Sequence, residues 1–332
     1  MSQTEPSTVN LSSVWPALPL DAWRDTCATL HMWTQIVGKI RMALSPHVNH
    51  WWQVPLYLTA RGLTTSPMPY RERVFELNFD FVEHALLVLT SDGITRRLDL
   101  YPRSVADFYR ELMGVLNALG LEVKIWPVPV EIPDPIPFAE DTQHAAYDPE
   151  YAQRFWRILL QADRVLKQFR ARFNGKSSPV HFFWGSFDLA VTRFSGRRAP
   201  PHPSGIPFMI EAESHEQYSV GFWSGSGAVQ APAFYAYAYP EPPGLRAARL
   251  RPESARWHGE MELFILLYDD MRAQLQPDQA LLEFCQSTYE ATADLGQWDR
   301  AALEAVSSGP PPRAPGESAA RKDQAWHLPA RT

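Results

Sequence analysis

The sequence predicts an α+β protein built from two related helix–antiparallel-strands–helix halves in a pseudo-two-fold arrangement. Three observations carry that expectation. Apolar residues recur at three- and four-residue spacing in long segments, the period of an amphipathic helix. Short runs rich in β-branched and aromatic residues lie between those segments, bounded by turn residues. The order helix, strands, helix occurs twice along the 332 residues. The expected divisions are a tail over 1–12, a first half over 13–125 and a Pro-rich connector over 126–149. A second half with longer loops follows over 150–305, and then a disordered tail over 306–332.

Taken in order, the first helix opens at Leu20-Asp21 with Asp21 as the expected N-cap. Its face carries Leu30, Trp33, Val37, Ile40 and Leu44, and Ser45-Pro46 ends it. Trp51 to Thr59 reads as a strand, demoted to an edge by Pro55. Val74 to Phe81 and Ala85 to Leu89 read as strands, and Ser91-Asp92-Gly93 turns the chain into Thr95 to Leu100. Ser104 is expected to cap a second helix, and Gly120 suits the left-handed position after it. Trp126 to Pro137 holds five prolines and reads as a stiff extended connector. Asp148-Pro149 starts the third long helix, with Leu159, Ala162, Leu166, Phe169 and Phe173 on its face. Val180 to Trp184, Phe187 to Phe194, Tyr218 to Trp223 and Phe234 to Tyr239 read as strands, and Glu262 to Tyr268 as a strand or the start of a helix. Asp278 is expected to cap the last helix, which runs towards Leu295-Gly296. From Ser307 onward the composition is Pro, Gly, Ser, Ala and charge without periodicity.

The halves match at individual residues. The apolar positions of the first and third helices differ by a constant 129. His50-Trp51-Trp52 followed by Arg61 parallels His181-Phe182-Phe183 followed by Arg193. Such a duplication places His50, His181, Arg61 and Arg193 near a common interface, a favoured place for a pocket.

Composition excludes several classes of function. A hydrophobic share of 45% supports a large core. A net charge of −6, with no run of Lys or Arg, argues against nucleic-acid and membrane partners. The longest apolar stretch, around Leu263 to Leu267, is far too short to span a bilayer. Cys27 and Cys285 make no disulfide framework and read as buried thiols of a reducing compartment. With no charged-then-apolar leader at the start, a cytoplasmic location is the expectation.

The candidate chemistry rests on a few residues. His50, His181, His215 and Glu216 are candidates for acid–base work, because imidazole titrates near neutrality. A divalent metal is a further candidate cofactor, with His181, Asp188, His215 and Glu216 as the set, although no motif of metal-ligand spacing supports it. Arg61 and Arg193 are candidates to clamp an anionic group. Arg193, inside an apolar strand, is expected to pair with Asp188 if buried. Trp51, Trp184 and Trp223 are candidates to stack on a ligand, and Tyr235, Tyr237 and Tyr239 fall on one strand face. Gly221 to Gly227 lacks the Lys-Ser/Thr ending and the helix of a phosphate loop, and reads as a hairpin connection.

Trp15 to Leu20, Thr29 to Lys39, Phe187 to Arg197 and Ser214 to Glu216 with Gly221 to Trp223 resemble an uncharacterised bacterial family catalogued only as a domain of unknown function. The resemblance covers nearly all of the chain between the tails and implies a bacterial protein, with no reaction or cofactor attached. Two readings remain. One is an enzyme acting on a small anionic or aromatic metabolite between the halves, with or without metal. The other is a non-catalytic module that binds a small molecule or protein on an aromatic-lined surface. The small-molecule ligand is the expected partner, and the oligomeric state is left open.

Overall fold

A computed structural model describes residues 14–305; the expected tails over 1–12 and 306–332 lie outside them. The chain runs α1 (Leu20–Leu44), β1 (Tyr57–Leu58), β2 (Gly62–Thr64), β3 (Met68–Tyr70), β4 (Arg73–Asp80), β5 (Ala85–Thr90), β6 (Thr95–Asp99) and α2 (Val105–Ala118). It continues with α3 (Pro149–Arg170), β7 (His181–Phe183), β8 (Asp188–Arg198), α4 (Pro207–Ala212), β9 (His215–Trp223) and β10 (Ala233–Tyr239). The remainder is β11 (Arg256–His258), β12 (Leu263–Leu267), α5 (Tyr268–Arg272), α6 (Pro277–Leu295) and α7 (Arg300–Leu303).

The α+β class is as predicted, and the strands form two antiparallel sheets of six. The first has the order β1-β2-β4-β5-β6, with β3 also paired to β4; the second has the order β11-β12-β10-β9-β8-β7. The sheets join at their edges. Leu56 and Phe182 exchange both backbone hydrogen bonds at 2.9 Å, just before β1 and within β7. The helical periodicity is realised: Leu30, Trp33, Val37 and Ile40 of α1, and Leu159, Ala162, Leu166 and Phe169 of α3, are fully buried. α1 packs against both α2 and α3. One continuous hydrophobic cluster therefore runs through both halves. The segment before α1 also crosses over: Trp15 donates its indole N–H to Asp278 at 2.9 Å, and Tyr268 donates to the Pro16 carbonyl at 2.7 Å.

Several caps behave as expected. Ser104 accepts from Asp107 N–H, Asp148 accepts from the N–H groups of Glu150 and Tyr151, and Gly120 has φ +71°. Two do not. Pro19 precedes α1, and Asp21 lies inside its first turn, paired with Arg24 at 2.6 Å. Gln276 precedes α6, and Asp278 in its first turn is taken up by Trp15 and by Arg164 at 2.6 Å.

The predicted strand over Trp51 to Thr59 shrinks to Tyr57–Leu58. Asn49–Trp51 is instead a tight turn with His50 at φ 60° and Trp51 at φ 59°, a geometry no strand tolerates. Residues 126–148 carry neither helix nor strand. They are anchored by Gln35 of α1, whose amide accepts from Val130 N–H at 2.8 Å and donates to the Val130 carbonyl at 2.7 Å.

Candidate functional site

Strand alternation builds the floor of a cleft on the second sheet. On β8, Leu189, Val191 and Arg193 point into the core, while Asp188, Ala190 and Thr192 point the other way. On β9, Tyr218 and Val220 face the core, and Gln217 and Ser219 face the cleft. On β10 the expected split of Tyr from Ala is realised: Ala236 is buried, and Tyr235 and Tyr237 line the cleft with rings stacked at 6.4 Å. Register brings Tyr235 opposite Gly221, and Gly221 opposite Ala190. A Cβ on Gly221 would run into the Tyr235 hydroxyl. The glycine thus lets the phenol lie across β9 and donate to the Asp188 carboxylate. Ser186 donates to the other carboxylate oxygen. Further along the floor, Tyr237 donates to Glu213 at 3.3 Å, and Thr192 and Ser219 share a hydrogen bond at 3.2 Å.

The walls come from four other segments. The turn between β7 and β8 supplies Trp184 and Gly185. His31 of α1 holds it, its Nε2 lying 3.0 Å from the Trp184 carbonyl and 2.9 Å from that of Gly185. The Val130 anchor places Glu131, at φ 58°, over Gly185, where a Cβ would collide with its carboxylate. Opposite, α4 and the Asn49–Trp51 turn form a cap. Phe208 meets Trp51 at 5.5 Å, His47 pairs with Glu211 at 2.7 Å, and the His50 Nδ1–H donates to the Ala212 carbonyl at 2.9 Å. The cleft has a volume of about 680 Å³, ample for a small organic molecule. It draws on the α1–β1 segment, the connector and the second sheet, so the pocket forms where the two halves meet.

The electrostatics are acidic. Asp188 is 6% exposed, and burial raises its carboxyl to about 6 against the lowering effect of its two hydroxyl partners. Glu131 keeps access to solvent through the cleft. It is nonetheless ringed by protein closely enough that burial, and then the neighbouring Asp188 charge, raise it to about 7. Glu213 is also raised by burial, and the His202 Nε2 lies 3.1 Å from its carboxylate. His50 is held neutral. Its Nδ1 is committed to Ala212, its Nε2 accepts from Lys176 Nζ at 2.6 Å, and burial lowers its pKa. Among the described residues, no Lys or Arg lines the cleft.

Of the residues expected from sequence, His50, Trp51, Trp184 and Asp188 line the cleft. His215 stands beside it, its ring 5.5 Å from that of His50. Glu216 follows His215 on a strand and faces away, where it binds Ser195 at 2.8 Å and Arg197 at 2.7 Å. His181 is buried among Trp52, Tyr57 and Phe183 and is pushed down to about 3 by that burial. The proposed metal set is therefore dispersed: among the described residues no group of three or more His, Cys, Asp or Glu is placed to hold a metal ion. Trp223 packs with Val229, Ala233 and Ile265 outside the cleft.

Neither arginine reaches the cleft. Arg61 is exposed between β1 and β2 and pairs with Asp80 at 2.6 Å. Arg193 is 1% exposed in the core, donating to the Phe169 carbonyl and lying over the Phe169 and Tyr289 rings. The expected Arg193–Asp188 pair does not form because five residues along a strand reverse the face. His50 sits on a turn and His181 within a strand, so the matched pairs of the two halves do not occupy equivalent places. The cysteines are free and buried, and burial pushes both thiols up to about 12.

Sequence reasoning missed Glu131, hidden in the Pro-rich connector, and α4, too short to show periodicity. Glu213 was not among the expected site residues either.

The chain belongs to a family of unknown function, DUF5996, whose sequence pattern matches residues 15–305. No curated protein and no solved structure matches it. No helix among the described residues is long and apolar enough to cross a membrane.

Proposed function

We propose that this member of a family of unknown function is an enzyme that binds a small aromatic molecule in the cleft and moves protons with Asp188 and Glu131. The observation that carries the reading is the juxtaposition of two carboxyls, held at about 6 and about 7, with an aromatic-walled cavity of about 680 Å³. A carboxyl ordinarily stays ionised at neutral pH. Raised to this range, it can both give and take a proton there, as general acid–base work requires. Tyr235 and Ser186 fix the Asp188 carboxylate in position, and Trp51, Phe183 and Trp184 offer flat apolar surfaces to a ring. This reading moves the acid–base role from the histidines to the carboxylates, because His50 has both ring nitrogens committed.

The non-catalytic reading keeps the same ligand site and is favoured by the hydroxyl bonds to Asp188, which a purely structural carboxylate would also make. One experiment separates the two. The purified protein and its Asp188→Asn variant are incubated with a small-molecule extract and followed by mass spectrometry. An enzyme forms a product that the variant does not form. A ligand retained by the wild type without turnover assigns the binding reading instead.

A further inference from the structure

We infer that the ligand of this cleft is a protonated aromatic amine, its cationic nitrogen seated between Asp188 and Glu131 and its ring against Trp51 and Trp184. The inference rests on the small-molecule reading above and adds the ligand's charge.

The argument starts from what each acid lacks. Glu213 has side-chain partners in His202 at 3.1 Å, Gln217 at 3.2 Å and Tyr237 at 3.3 Å. Asp188 receives the hydroxyls of Tyr235 and Ser186 and its own backbone N–H, all of them neutral donors, and no cation. Glu131 stands over Gly185, and the carboxylate interaction that acts on it is the repulsive one with Asp188. Two acids in a partly dry cleft, both raised by burial and Glu131 further by the Asp188 charge, form a site for a positive charge.

The surroundings supply no such charge. The cleft has no Lys or Arg lining it among the described residues. Lys39 lies against the Trp184 ring at 5.8 Å from the α1 side and makes no ion pair with either carboxylate. His31, behind the same turn, is pushed down to about 4 by burial and is neutral. His50 is neutral at the far end, where Lys176 sits over the Trp52 ring at 5.3 Å. An anionic ligand would instead meet Asp188 and Glu131 as like charges. The walls favour a cation for a second, independent reason: indole and phenol faces carry negative potential and attract organic ammonium groups.

The test is calorimetric titration of the full chain at pH 7 with four probes of similar size: phenethylamine, benzyltrimethylammonium, 2-phenylethanol and phenylacetate. The two cations are expected to bind about tenfold or more tightly than the neutral alcohol, and phenylacetate least, the size of effect a poorly hydrated charge pair produces. Glu131→Gln is expected to remove most of the cation's advantage while leaving 2-phenylethanol unchanged. Because Glu131 is exposed at the mouth of the cleft, this variant folds independently of the site. Phenethylamine binding at pH 6.5 is also expected to release protons, read as a dependence of the heat on the buffer's ionisation enthalpy. Alcohol or phenylacetate binding as tightly as the amines overturns the inference and leaves the aromatic-cleft reading standing. Binding by none of the four overturns both.

Discussion

Asp188 is the residue on which the account turns, and its pH behaviour follows from its burial. The folded chain holds the Asp188 carboxyl at about 6, against an ordinary 3.8. The folded state therefore keeps this proton when the unfolded state has lost it. The contribution to stability is fully present below pH 3.8 and is lost as pH rises through 6. Raising the carboxyl from 3.8 to about 6 corresponds to about 3 kcal/mol. Asp188→Asn is expected to lose about 3 kcal/mol less stability than wild type between pH 4 and pH 8, measured by urea unfolding at each pH. Identical pH curves would remove the assigned cause. The Tyr235 hydroxyl stabilises the carboxylate, so Tyr235→Phe is expected to push the Asp188 midpoint above 6, read by carbon NMR of the labelled carboxyl. Arg193 offers the opposite lesson. Buried over Phe169 and Tyr289 without an acid, it works as packing volume. Arg193→Met is expected to cost under about 1.5 kcal/mol, and Arg193→Ala about 2–5 kcal/mol, by the same unfolding assay.

At the level of elements, the site depends on α1 as much as on the sheet. His31 holds the β7–β8 turn, Gln35 holds Val130 and so Glu131, and Gly38 lets the Trp184 ring lie flat on the helix. A Cβ at Gly38 would strike the Trp184 ring. Gly38→Ala is therefore expected to cost about 1–3 kcal/mol and to displace one wall of the cleft, seen as a changed Trp184 indole signal. What was legible in the sequence follows the same division. Long periodic helices and the Tyr–Ala alternation of β10 were readable, because periodicity reports which face is buried. Alternation also separates His215 from Glu216 and Asp188 from Arg193. Strand parity, counted strictly along the sequence, is enough to dissolve both pairings. Glu131 was not readable at all. Its place depends on a contact between Gln35 and Val130, ninety-five residues apart, that no local pattern encodes.

For the whole molecule, two antiparallel sheets of six strands are sewn together at Leu56 and Phe182 and share one core around α1, α2 and α3. Helix, strands and helix follow one another twice along the chain. The cleft is asymmetric, however, because only the second sheet turns a polar face to it and only the first half supplies the cap turn. That asymmetry locates the most direct test. Of the twelve tryptophans, Trp51, Trp52 and Trp184 line the cleft, while Trp15, Trp23 and Trp33 lie in the core. Nitrogen–proton NMR of the indole groups during titration with phenethylamine and 2-phenylethanol reads both sets at once. If the cleft is a small-molecule site, the three cleft indoles shift saturably while the three core indoles stay still. If none of the cleft indoles moves, or only the exposed Trp126 does, the central claim is contradicted.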